Sequence, residues 1–191
     1  MSMTNWKPVA LAAALMFAAM PAAAQNQGDG PAFIQALRSG DDSKAASLLS
    51  GSPGLANSRD GRGETPLLVA VTMRNEQWIA HLLNNGADPS GGGKNGDTPL
   101  IVASRIGFET AAQWLLESGA KANQANRMGE TPLIVAVQQR RLPLVKLLLA
   151  KGADPDKTDA AAGYSAREYA KRDTRTPQML RLIEAAKKPS N

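Results

Sequence analysis

The sequence predicts an all-α fold, a solenoid of stacked helix-turn-helix units, and three observations carry that expectation. A six-residue phrase recurs as Thr65-Pro66-Leu67-Leu68-Val69-Ala70, Thr98-Pro99-Leu100-Ile101-Val102-Ala103 and Thr131-Pro132-Leu133-Ile134-Val135-Ala136, each start 33 residues after the last. A leucine-rich run closed by Gly-Ala recurs at Gly86, Gly119 and Gly152 with the same interval. Polar stretches rich in Gly, Asn, Asp and Lys separate each Gly-Ala from the next Thr-Pro. Such a period marks units that bury their apolar faces only by stacking on neighbours, an architecture that favours binding over catalysis.

Residues 1–24 stand outside the period and read as an export leader. Lys7 is their only charged side chain, an apolar run follows from Val9 to Met20, and Ala22-Ala23-Ala24 supplies an A-x-A cleavage signal before Gln25. The rival reading is an uncleaved anchor. The uncharged span from Pro8 to Ala24, rich in Ala and carrying Pro near both ends, is short for crossing about 30 Å of hydrocarbon. With no Cys in the chain there is no lipid attachment site behind the leader. The short Ala-rich leader suggests a Gram-negative source, which would place the mature chain in the periplasm, or outside the cell.

Residues 25–30 are expected to be a flexible lead-in. An N-terminal capping unit, 31–60, follows: Pro31–Arg38 and Ser43–Leu49 are helical patterns parted by Ser39-Gly40-Asp41-Asp42, and Gly51 stops the second. Three full repeats occupy 61–93, 94–126 and 127–159. In each, the Thr hydroxyl is placed to cap a helix N-terminus, with Pro at the first helical position. A second helix covers Trp78–Leu83, Ala111–Leu116 and Leu144–Leu149 in turn, and the Gly that follows can end it in a left-handed conformation. The stretch Asp88–Asp97 exemplifies the hairpin-like turns between units. A C-terminal capping unit, 160–186, carries Gly163-Tyr164-Ser165-Ala166, a decayed Gly-x-Thr-Pro offset by one residue, and a last helix opened by Thr176-Pro177. Residues 187–191 form a tail.

At these residues the chain resembles the ankyrin-repeat proteins, whose consensus runs D-x-x-G-x-T-P-L-H-L-A-A followed by a helix ending L-L-L-x-x-G-A-D. The resemblance covers three units from about Gly61 to Thr158. Gly63, Gly96 and Gly129 stand at the family's glycine, and Asp60 and Asn126 at its turn position, from which Gly93 departs. The family's His is replaced by Leu68, Ile101 and Ile134. Burial of a branched aliphatic side chain is worth about 1.5 to 3 kcal/mol against about 1 for a hydrogen bond, so apolar packing is expected to take over there.

Catalytic constellations are missing from the sequence. Zero Cys removes thiol chemistry and disulfide staples, and one His leaves no two-histidine metal site. His81 follows Trp78-Ile79-Ala80 where the sister repeats carry Trp114 and Leu147, which fits a residue of the second helix and not a triad base. Acidic residues are scattered over turns and caps. Ser90-Gly91-Gly92-Gly93-Lys94-Asn95-Gly96 lacks the first glycine and the hydroxyl residue of a phosphate loop, and reads as a hairpin tip. No catalytic, cofactor or metal residue is expected.

Losing Lys7 with the leader takes one from the 22 basic residues against 17 acidic ones, a net of about +4, gathered toward the C-terminal end. Nucleic-acid recognition draws on a denser basic stripe with aromatic stacking. The resemblance instead implies a protein-binding surface at the turns before each Thr and at the ends of the first helices. Here those positions are Arg62, Glu64, Lys94, Asn95, Asp97, Arg127, Met128 and Glu130, and Thr72, Met73, Arg105, Ile106, Gln138 and Gln139. Glu64, Asp97 and Glu130 should align as an acidic row, either facing a partner or stabilising helix N-termini; Met73 and Ile106 should present adjacent apolar groups. The sequence thus predicts a monomeric exported module that binds an unidentified protein, supporting or protecting a periplasmic enzyme, with an inhibitor or immunity protein as the alternative. Nucleic-acid binding and membrane insertion after leader removal are not expected.

Overall fold

The computed structural model describes residues 22–186, with side chains from residue 28 onward. Residues 1–21 of the expected leader and the tail 187–191 lie outside the described residues. Ten α-helices follow one another in five pairs among the described residues: α1 (Ala22–Ser39) and α2 (Asp42–Gly51), α3 (Pro66–Thr72) and α4 (Glu76–Asn84), α5 (Pro99–Ile106) and α6 (Glu109–Glu117), α7 (Pro132–Gln138) and α8 (Leu142–Ala150), α9 (Ala166–Arg172) and α10 (Pro177–Ala185). A short 3-10 turn, Pro53–Asn57, links the first pair to the second. The only strand-like pairing among the described residues is an isolated antiparallel bridge from Thr158 to Ser165.

First helices pack on first helices, α1 on α3, α5, α7 and α9 in succession, and α4, α6, α8 and α10 form a second row. Each first helix begins as its sequence dictates. Oγ1 of Thr65, Thr98 and Thr131 accepts the N–H of Leu68, Ile101 and Ile134, each at 3.2 Å, while the Pro at the next position gives up an N–H that has no partner there anyway. The decayed phrase works by the same rule. Ser165 caps α9 in a reciprocal box with Glu168, and the extra residue before it is absorbed by Asp159, whose Oδ1 accepts N–H bonds from Ala162 and Gly163. Gly86, Gly119 and Gly152 end the second helices at φ of 76°, 91° and 81°, a region closed to most side chains.

The core is one layer repeated. Ile79, Ala112 and Val145 are fully buried at one register position, and Leu82, Leu115 and Leu148 at the next, so each repeat offers its neighbour the same apolar shape. Leu68, Ile101 and Ile134, at the position of the family's His, are 6%, 0% and 0% exposed, and apolar packing does replace the polar contact there. The N-terminal pair differs from expectation at its start. Helix α1 begins at Ala22, so residues 25–30, read as a flexible lead-in, lie within it. Ala and Gln are good helix formers, and Gly30 meets the turn after α2 so closely that a Cβ there would come within 2.9 Å of Ser58 Cβ.

Side-chain bridges between successive loops add a second periodic element. Asn57 donates to the Gly86 carbonyl at 2.8 Å and accepts from Asp88 N–H at 2.7 Å. Asn123 repeats both bonds to Gly152 and Asp154, at 3.1 and 2.7 Å. Between them in register, Ser90 accepts only the Lys121 N–H through its hydroxyl, at 3.1 Å. Among the described residues no helix is long and apolar enough to cross a membrane.

Candidate protein-binding face

The first and third hairpin tips are built by an Asx-type turn. Asp60 Oδ1 accepts from the N–H groups of Arg62 and Glu64, and Asn126 Oδ1 from those of Met128 and Glu130. Gly93 has no side chain to do this, and the structure gives the reason: a Cβ at Gly93 would sit 2.7 Å from Leu68 Cδ2. Adjacent tips are joined by backbone bonds, Arg127 N–H to Asn95 O at 3.1 Å and Ala160 N–H to Met128 O at 2.8 Å.

The tips hold Arg62, Lys94, Asn95, Arg127 and Met128 in solvent, with Met128 53% exposed. At the ends of the first helices Thr72, Met73 and Gln139 are exposed, Met73 at 48%, and Gln138 is half-buried. Ile106 does not join Met73 as an exposed apolar pair. It is half-buried and packed against the core, at the end of a helix that the left-handed Gly107 closes. Met128 supplies the second exposed apolar group instead.

Glu64, Asp97 and Glu130 occupy the same position in successive repeats, but they do not form a free acidic row. Arg38, from α1, pairs with both Asp60 (2.8 Å) and Glu64. Arg105 binds Asp97 through two N–H bonds of 2.8 and 3.2 Å, and approaches Glu130 at 3.9 Å. Asn126 donates both amide protons, one to Asp97 Oδ1 and one to Glu130 Oε2, each at 2.8 Å. All four bonding positions of this 8%-exposed amide are thus used. Burial pushes the Asp97 carboxyl up, but the hydrogen bonds from Arg105 and Asn126 and the Arg105 charge outweigh it and hold the group below the ordinary carboxylate range. The helix N-termini are capped by the threonines, not by these carboxylates.

The sequence did not point to Arg74 and Arg140, which take the left-handed conformation at φ of 56° and 54° where the middle repeat has Gly107. Such strain persists only where surrounding contacts hold it. Arg74 lies 4.4 Å over the Phe108 ring. Arg140 bonds Asp173 at 2.7 Å. The carboxyl of Asp173 is held below its ordinary value chiefly by that bond, helped by Arg175 N–H and the Arg140 charge against burial. Arg140 also borders a cavity of about 340 Å³ between α7 and α9, shared with Gln138, Tyr169, Arg172 and Arg175. His81 is exposed on α4, its ring edge-on to Trp78 at 5.4 Å. Among the described residues no group of three His, Asp or Glu could hold a metal ion.

No curated protein sequence matches the chain. Residues 79–159 match the family model described as ankyrin repeats in three copies, and residues 62–91 match the model of the single ankyrin repeat. Those matches run together from 62 to 159, just over half of the 191 residues, and coincide with the repeats whose caps, turns and stacked helices are described above. On this combined ground, the chain belongs to the ankyrin-repeat family, whose repeats form a protein-protein interaction module.

Proposed function

We propose that this ankyrin module is exported to the periplasm, where it holds a protein partner against its hairpin tips and first-helix ends and so supports or protects an enzyme. The observation that carries the binding face is the exposure of Met128 among the solvated tip residues Arg62, Lys94, Asn95 and Arg127, and of Met73 at a first-helix end. Small apolar contacts ringed by polar groups are the usual anatomy of a protein interface. The export half of the proposal rests on the leader pattern ending at Ala24.

Affinity capture from periplasmic extract tests the face, using the tagged chain beside an Arg62→Ala, Met73→Ala, Met128→Ala variant. Arg105 and Ile106 are left intact because one holds the Asp97 network and the other packs in the core. A partner retained by the parent and lost by the folded variant is the expected result. Equal capture by both would overturn the proposed face. Cell fractionation with N-terminal sequencing tests export; an uncut chain in the cytoplasm would overturn that part.

A further inference from the structure

The charged groups of the binding face are not equally available, because the structure ties its carboxylates into internal hydrogen bonds and ion pairs and leaves the cations of the tips in solvent. Every carboxylate at the turn positions has an internal partner. Asp60 and Glu64 are taken by Arg38, Asp97 by Arg105 and Asn126, Glu130 by Asn126, and Asp159 by the Tyr169 hydroxyl and two backbone N–H groups. At the tips, by contrast, Arg62, Lys94 and Arg127 are exposed and none pairs with a carboxylate among the described residues.

The cavity between α7 and α9 continues the imbalance. Three guanidinium groups, Arg140, Arg172 and Arg175, border it with a single carboxylate, Asp173. Asp173 is occupied by Arg140 at 2.7 Å and meets Arg175 only at 3.9 Å. Arg172 lies with its guanidinium carbon 4.0 Å from the centre of the Tyr164 ring, an arrangement that fixes the group through its flat face and leaves its N–H edge available. Helix α7, whose seven residues rise about 10 Å, lies between the third tip and the cavity bordered by its last residue, Gln138. An extended segment of three or four residues spans that distance.

We propose that the partner recognised by this face presents an acidic segment, with one carboxylate seated among Arg140, Arg172 and Arg175 and others along the tip cations. The inference rests on the protein-binding reading and names the chemistry of the partner. A guanidinium fork matches a carboxylate in two N–H bonds, and a net-positive cavity selects for it. A protein segment fits better than a nucleic acid because Met128 at a tip and Met73 at a first-helix end offer apolar contact, and among the described residues no aromatic stacking platform accompanies the tips.

The test is fluorescence anisotropy of the full chain with three labelled probes: a twelve-residue peptide alternating Glu and Leu, its Lys and Leu counterpart, and a twelve-nucleotide oligothymidine. The Glu-Leu peptide is expected to bind, more weakly as salt rises. An Arg172→Glu, Arg175→Glu variant should weaken it about tenfold and Arg127→Glu about threefold, in the range of interfacial charge changes. Arg181→Glu, on α10, should change nothing. Since Arg172 packs on Tyr164, Arg175→Glu alone serves as a second variant at a side chain 77% exposed, with the helical circular dichroism signal checking its fold. Equal binding of the Lys-Leu peptide, absence of Glu-Leu binding at low salt, or indifference to both arginine variants would overturn the proposal. Oligothymidine binding as tightly as the peptide would overturn it too, in favour of a general polyanion surface. A captured partner that depends on Met73 and Met128 but not on Arg172 or Arg175 would sink this inference while leaving the protein-binding reading intact.

Discussion

Asn126 is the most heavily used polar side chain of the array, and replacing it with Ala is expected to destabilise the solenoid by about 2 to 4 kcal/mol. Its carbonyl holds two backbone N–H groups of the third tip, at 3.0 Å each, and its amide joins Asp97 of one repeat to Glu130 of the next. A neutral hydrogen bond is worth about 1 kcal/mol net and one to a charged group about 1.5 to 3, so the four bonds together represent roughly 5 to 8 kcal/mol before water replaces part of them. That replacement is substantial, because the Asp97 side chain is 21% exposed. Asn126→Asp is the sharper variant. It keeps the acceptor for both backbone groups but sets a third carboxylate between Asp97 and Glu130, where Arg105 is the one paired cation among the described residues. Crowding raises the folded pKa of one member of such a group, so this variant should be weakest at pH 7 and recover part of the difference as pH falls toward 5. The assay is urea unfolding followed by circular dichroism at 222 nm, reading the midpoint at constant slope, since repeat arrays can lose cooperativity. A loss under about 1 kcal/mol for Asn126→Ala, or equal stability of Asn126→Asp and the parent at pH 7, would refute the network account.

Three further outcomes are expected. Gly129→Ala should cost about 2 to 3 kcal/mol and Gly63→Ala only about 1, because both sit at φ of 76° but a Cβ at 129 meets Ala160 N at 2.7 Å while the nearest atom to one at 63 is 3.8 Å away; equal losses in thermal unfolding would contradict the steric reasoning. Ser90→Asn supplies the amide that Asn57 and Asn123 use in the flanking loops and should raise the urea midpoint by the equivalent of about 0.5 to 1 kcal/mol, with no gain counting against the bridge. The carboxyls of Asp60, Asp97 and Asp159 are held below their ordinary values. In each case burial works the other way and is outweighed by hydrogen bonds: from Glu64 N–H, Arg38 and Arg62 N–H to Asp60, from Arg105 and Asn126 to Asp97, and from Tyr169 and backbone N–H groups to Asp159. Their contribution is therefore complete above the unfolded value of about 3.9 and is lost as pH falls through the lower folded values. Stability measured from pH 7 down to 2.5 should drop below about pH 4, and less steeply in Arg105→Ala; an unchanged slope in that variant would exclude Arg105 as a cause.

Local rules made much of this fold legible. A Thr before Pro caps a helix wherever it stands, and a Gly after an apolar run can end one, so the starts of α3, α5 and α7 and the stops after α4, α6 and α8 follow from a few local residues. The decayed C-terminal unit was readable for the same reason, since Ser165 caps as Thr does and only the turn before it lengthens. Harder to read was the 3-10 turn at Pro53–Asn57, which no repeated signal marks. The loop bridges had a faint one: Asn57 and Asn123 stand two periods apart, with Ser90 between them.

The binding face divides along the same line. Position in the repeat, which sequence alone supplies, determined that Arg62, Lys94, Asn95, Arg127 and Met128 belong to exposed tips, because the period carries every residue to the same place in its unit. The state of each charge was decided only by the tertiary structure. Arg38 reaches Asp60 at the end of its own unit and Glu64 in the next, Asn126 ties Asp97 to Glu130 across a repeat boundary, and Arg140 finds Asp173 beyond the end of its own helix pair. A period fixes where side chains start; pairing depends on distances between atoms far apart in sequence, and those distances exist only once the repeats have stacked.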